Sequence, residues 1–154
     1  MELKLPPPFV FLLGAGIIYA LPNAFESPLI LRGLAVLIAF FALVIDASAL
    51  LAFRQQRTTI SPLTPHNTSS LVTHGIYRFT RNPMYLGLAL LLLAWSLWLA
   101  QPFGVLVLWG FVAYLNRFQI LPEERILLAK FGEAFRQYQT EVPRWISYKG
   151  ARKT

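Results

Sequence analysis

Three places in this sequence set reactive side chains beside apolar stretches. The first is Arg81-Asn82-Pro83-Met84-Tyr85-Leu86-Gly87. Asn is a preferred helix N-cap and Pro suits the first helical position, so the run reads as a helix start. A helix start also offers unpaired N–H groups and a partial positive charge, which suit a carboxylate or phosphate. The second is Leu121-Pro122-Glu123-Glu124. Two carboxylates in a first helical turn either complement the dipole or hold the ammonium or ribose hydroxyls of a nucleotide-like cofactor. The third is Asp46, roughly 12 Å before Arg54 along a helix rising 1.5 Å per residue. An ionisable group that deep in an apolar stretch is either a functional group or a hydrogen bond to a neighbouring helix. Tyr77 and Tyr85 lie in polar surroundings, where aromatic faces can stabilise a cation such as a sulfonium.

These groups need elements to hold them, and the chain offers four apolar segments. They run from about Pro8 to Leu21, Pro28 to Phe53, Pro83 to Ala100 and Pro102 to Leu121. The first is short against the roughly 20 residues of a full span. The second is long enough to cross with tilt. The third and fourth are joined around Gln101, a connection short enough for an antiparallel hairpin. From Glu123 to about Gln139, Leu127, Phe131, Phe135 and Tyr138 recur at three- and four-residue spacing, which predicts an amphipathic helix weakened mildly at Gly132. The expected fold is all-α: an integral membrane bundle of about four transmembrane helices with a cytoplasmic C-terminal amphipathic helix.

Composition points the same way. The 154 residues are 56% hydrophobic and 14% charged, with a formal net charge of +7. Soluble domains carry about 25% charged residues. Arg54, Arg57, Arg78 and Arg81 fall between segments two and three, and Arg117, Arg125, Lys130, Arg136, Arg144, Lys149, Arg152 and Lys153 end or follow segment four. The positive-inside rule then puts both termini and the 54–82 stretch in the cytoplasm. Basic residues that flank apolar runs set orientation and leave no element free for nucleic acid. Lys4 and the run from Phe9 superficially fit a signal peptide, but Pro6, Pro7 and Pro8 intrude, and the segment reads as a retained first membrane helix. There is no cysteine, which removes disulfides and thiolate chemistry. His66 and His74 are the only histidines, so no metal site is expected.

Five motifs occur in the order and spacing of one family. They are Leu71-Val72-Thr73-His74-Gly75-Ile76-Tyr77-Arg78, Arg81 to Gly87, Glu123-Glu124, Phe131-Gly132-Glu133-Ala134-Phe135 and Val142-Pro143-Arg144-Trp145. Over about residues 54–146 the chain resembles the isoprenylcysteine carboxyl methyltransferase family and its relatives, the phospholipid methyltransferases. The resemblance implies a multi-pass membrane enzyme with one domain: two first helices over 1–53, a cofactor-binding core over 54–146 and a basic tail over 147–154. It implies S-adenosyl-L-methionine as cofactor, transferring a methyl group to a lipid or small hydrophobic acceptor at the cytoplasmic face of the membrane, and the compact form of the chain suggests a prokaryotic cytoplasmic membrane.

Carried over by motif, Ser69, Ser70, Leu71, Val72, Tyr77, Asn82, Pro83, Met84, Tyr85 and Glu123 would bind the cofactor. Gln119 and Glu124 would face the acceptor; an amine or thiol acceptor would have to lose a proton, for which Glu124, His74 and Asp46 are possible acceptors, and no catalytic base is assigned among them. Many members have His where this chain has Asn82, which donates hydrogen bonds but does not titrate near neutral pH. Eukaryotic members place an Arg near Gln119. Two other readings compete: an NADPH-dependent membrane reductase of the same superfamily, and a non-catalytic membrane scaffold.

Overall fold

The computed structural model of the chain describes residues 5–22, 26–55 and 71–146. Those residues form helices and turns only. In order they are α1 (Pro7–Ala20), α2 (Leu29–Gln55), a 3-10 turn (Gly75–Arg78), α3 (Pro83–Trp98), α4 (Gly104–Leu115), a π turn (Asn116–Ile120), α5 (Leu121–Phe131) and α6 (Glu133–Glu141). Both α1 and α3 begin on proline, whose missing N–H costs nothing in a first turn.

Two helices are long and apolar enough to cross a bilayer: Leu29–Gln55, and the unbroken run Gly104–Phe131 made of α4, the π turn and α5. The helices Pro7–Ala20 and Pro83–Trp98 are shorter. α3 is the central helix and packs on α1, α2 and α4. It is buried along its whole length at positions as different as Tyr85, Gly87, Leu92 and Ser96. α2 meets it through Ala35, Ala42 and Ala49, a stripe of small residues that permits close approach of the two backbones. The opposite face of α2 exposes Ile30, Leu37, Phe40, Phe41 and Val44. An apolar face that wide suits lipid rather than water.

The end of the bundle away from the site is closed by polar side chains. Ser96 Oγ donates to the Gln101 carbonyl at 2.7 Å, and Gln101 Nε2 donates to the Leu21 carbonyl at 2.9 Å. Trp95 Nε1 donates to the Ala15 carbonyl at 3.1 Å, tying α1 to α3.

The fourth apolar segment continues through Glu123 and Glu124 to Phe131, so these carboxylates do not open a new helix. Pro122 would ordinarily break a helix, because it removes one N–H and crowds the carbonyl four residues back. The wider π turn immediately before it accommodates both effects. The helix expected from Glu123 to about Gln139 is instead divided at Gly132. Gly132 has φ 54° and ψ −125°, a conformation essentially restricted to glycine. The chain restarts as α6, which buries Phe135 and Tyr138 and exposes Arg136 and Gln137.

Candidate functional site

A cavity of about 730 Å³ opens at one end of the bundle. Its walls come from the start of α1, the later half of α2, the segment 71–85, the α5 region and α6. The α3–α4 hairpin reverses the chain and so returns the α5 region to the end where α3 begins.

The polar wall is built by α3 and α5. Tyr85 Oη donates to Glu123 Oε1 across the two helices. One position along, Glu124 turns to another neighbourhood, because successive residues on a helix are about 100° apart. It accepts from Arg81 Nη1 at 2.7 Å, Arg144 Nη2 at 2.7 Å and Arg144 Nε at 2.9 Å. The Arg81 and Glu124 side chains are 10% and 12% exposed. Charged hydrogen bonds of this length in a shielded place are strong and directional. Burial pulls the Arg81 guanidinium below its ordinary value, and Glu124 opposes the shift. Its Nε is buried without a hydrogen-bond partner.

The segment 142–145 straps this wall. The Arg81 amide donates to the Pro143 carbonyl at 3.0 Å. Thr80 Oγ1 and Asn82 Nδ2 each donate to the Arg144 carbonyl at 3.0 Å. Trp145 Nε1 reaches Asn116 Oδ1 at 3.2 Å. Behind the connector, Tyr138 Oη donates to the Tyr77 carbonyl at 2.7 Å, and the Tyr77 ring meets Phe53 edge-on at 5.5 Å. Burial pushes the Tyr77 and Tyr138 phenols up, so both remain protonated donors at neutral pH.

The α2 wall is apolar except for Asp46, with Leu43, Ala47, Leu50 and Phe53 around it. Asp46 fits because residue 87 on α3 is glycine: a Cβ there would collide with the Asp46 carboxylate. Among the described residues no group of three or more side chains is arranged to hold a metal ion.

A family model described as phospholipid methyltransferase matches residues 30–134, well over half of the sequence. The chain belongs to the phospholipid methyltransferase family. The match begins inside α2, so the family likeness reaches further toward the N-terminus than the five motifs over about 54–146. This family member is 46% identical to an uncharacterized protein of Haemophilus influenzae over 63 residues, which are 41% of this chain and all of that protein. It is 35% identical over 77 residues to the Protein-S-isoprenylcysteine O-methyltransferase of Schizosaccharomyces pombe, covering 47% of this chain and 31% of the yeast protein. The alignment therefore spans less than a third of the yeast methyltransferase. No solved structure matches the chain significantly.

Most of the residues singled out from sequence in this methyltransferase-family chain converge on the cavity. Leu71, Val72, Tyr77, Asn82, Pro83, Met84, Tyr85, Glu123 and Glu124 all line it. Ser69 and Ser70 lie outside the described residues. Gln119 does not line it: fully buried, it donates from Nε2 to the Leu5 carbonyl at 2.6 Å and anchors the chain before α1. Asn82 does not cap α3 with its side chain, which is spent on the strap. Glu124 is occupied by two arginines, which leaves Glu123 as the carboxylate nearer to ligand chemistry. Arg81, Leu127, Phe135 and Tyr138 line the cavity without having been assigned to a site, and Asp46, weighed from sequence as a functional group, lines it too. For Arg81 the signal was its place next to Asn82; its charge was assigned to membrane orientation instead.

Proposed function

We propose that the chain is an S-adenosylmethionine-dependent methyltransferase of the membrane, acting on a lipid-like or small hydrophobic acceptor. The observation that carries this reading is the chemistry of the cavity wall in a member of this family. The methyl donor carries a carboxylate, an ammonium, ribose hydroxyls, a flat base and a sulfonium. The cavity offers the Arg81 guanidinium, Glu123 held by Tyr85, the aromatic faces of Tyr77 and Phe135, and apolar Leu71, Val72 and Leu127. Its volume lies within the roughly 300–1,000 Å³ of small-molecule and cofactor sites. The donor set therefore fits the group.

In this reading Arg81 pairs with the carboxylate of the donor and Glu123 takes its ammonium or ribose hydroxyls. Leu71, Val72, Leu127 and Phe135 pack on the base. Ser69 and Ser70 complete the connector side, as the family resemblance implies. The bound group supplies an electrophilic methyl carbon on sulfur. The chain supplies alignment and exclusion of water, which can account for most of the rate of an in-line transfer. Four helices cross the bilayer, with both termini and the cavity at the cytoplasmic face. Support for that topology is the cavity's position at the end where Arg54, Arg78 and Arg81 cluster. The acceptor arrives laterally, between the start of α1 and the exposed later half of α2.

Calorimetric titration of the detergent-solubilised protein with S-adenosylhomocysteine tests the reading, with NADPH titrated in parallel. Saturable binding of the former is expected, weakened at least tenfold by Glu123→Gln, since a hydrogen bond to a charged group is worth about 1.5–3 kcal/mol. Binding of NADPH alone would move the assignment to a reductase. Binding of neither would leave a non-catalytic role.

A further inference from the structure

Among the described residues, Asp46 is the one carboxylate lining the cavity that has no hydrogen bond or ion pair of its own. Tyr85 serves Glu123, and Arg81 and Arg144 serve Glu124. Asp46 Oδ1 is buried and accepts no hydrogen bond. Arg81, the one cation lining the cavity among the described residues, is committed to Glu124 on a different wall. Leu43, Ala47 and Leu50 of α2 flank Asp46, Gly87 of α3 lies against its carboxylate, and the Tyr77 phenol is close enough to feel its charge. Burying an acceptor among such neighbours is costly unless something donates to it. The fold nevertheless makes room for it, because Gly87 leaves the space that any side chain would take from the carboxylate. The exposed Leu43 gives this side of the cavity an apolar edge that suits a hydrocarbon tail. The polar groups that suit the methyl donor stand on the α3 and α5 walls.

We infer that Asp46 takes the proton of the methyl acceptor, so that the acceptor is a nucleophile arriving with a hydrogen on it, an amine, thiol or alcohol on an alkyl tail, and not a carboxylate. The inference rests on the methyltransferase reading and specifies its substrate class. As the X–H group of the acceptor attacks, a bond forms between X and the methyl carbon. The bond from that carbon to sulfur breaks, and sulfur keeps the electron pair. The proton passes from X to the Asp46 carboxylate. The positive charge of the donor and the negative charge of Asp46 cancel, leaving a methylated acceptor, a neutral thioether and a neutral carboxylic acid that later releases its proton to water. A carboxylate acceptor needs no base and would be repelled by Asp46.

Four probes with one tail separate the possibilities: dodecylamine, dodecanethiol, dodecanol and dodecanoate, each assayed with labelled S-adenosylmethionine and the detergent-solubilised wild-type protein, Asp46→Asn and Asp46→Glu. Calorimetry with S-adenosylhomocysteine accompanies each variant. At least one of the three proton-bearing probes should be methylated, and dodecanoate should not. Asp46→Asn should lower kcat about 100-fold or more, the size of a lost general base. It should leave KM and the affinity for S-adenosylhomocysteine unchanged, and Asp46→Glu should recover part of the rate. Methylation of dodecanoate alone, or of none of the three, overturns the inference in a protein that binds S-adenosylhomocysteine. So does an Asp46→Asn variant that keeps its kcat or loses S-adenosylhomocysteine binding. A wild-type protein that does not bind S-adenosylhomocysteine sinks the underlying methyltransferase reading and this inference with it.

Discussion

Replacing Glu124 by glutamine should loosen the whole α3–α5 wall. Glu124 accepts three hydrogen bonds from two guanidinium groups, all at 2.9 Å or less. Glutamine keeps the shape and one acceptor oxygen, but it turns an NH2 group toward an arginine and removes the charge. Arg144 is 36% exposed, so water recovers much of what it loses. Arg81, at 10% exposure, has no such recourse. Removing one partner of a buried pair costs about 3–5 kcal/mol, and the low end applies where one of the two arginines reaches solvent. A loss of about 3 kcal/mol lowers Tm by roughly 6–12 °C in a chain of this size. Trp145 sits in the strap, on Asn116, so tryptophan fluorescence during a thermal scan at fixed rate reports the event. The double variant Arg81→Met, Glu124→Leu should recover about half of the loss, because apolar groups of similar volume replace a buried ion pair at little cost. A Glu124→Gln protein that melts with wild type would refute the reasoning, since the arginines would then be solvated well enough without their carboxylate.

Two further substitutions test close approaches and backbone constraint. Gly87→Ala should lower Tm, because its methyl group meets the Asp46 carboxylate, and a second substitution, Asp46→Ala, should restore most of the loss. Equal melting of Gly87→Ala and wild type would show that α2 and α3 can separate freely. Gly132→Ala should cost about 1–3 kcal/mol through its positive φ, read by the same scan, and a neutral result would mean that the α5–α6 corner relaxes without penalty.

The apolar runs made α1, α2 and the α3–α4 hairpin legible, because period and length carry that information locally. Much of the cavity was legible too, since Leu71, Tyr77, Pro83, Tyr85 and Glu123 belong to short motifs. Three things were not. Glu123 and Glu124 are neighbours of one type, and nothing in their order says that one meets a tyrosine and the other two arginines. Gln119 looked like a site position because of where it stands in the motif order, yet its side chain faces the start of α1. The break at Gly132 was read as a small propensity cost, whereas the turn depends on a backbone angle that only tertiary closure of α6 over the connector selects.

The π turn has a further consequence for aim. Five residues from Asn116 to Ile120 close a turn that an α-helix closes with fewer, so everything after it is rotated with respect to everything before it. Each residue of phase is about 100°. Trp109 on α4 points outward from the bundle while Glu123 on α5 points inward, and the turn between them sets that relation. The same 28-residue rod thus presents two surroundings, an exposed apolar face along its first half and a charged chamber along its second. Shortening it by one residue inside the turn would leave its composition, length class and hydropathy nearly untouched, and would swing the carboxylates of α5 off the chamber like a key cut one notch out of step.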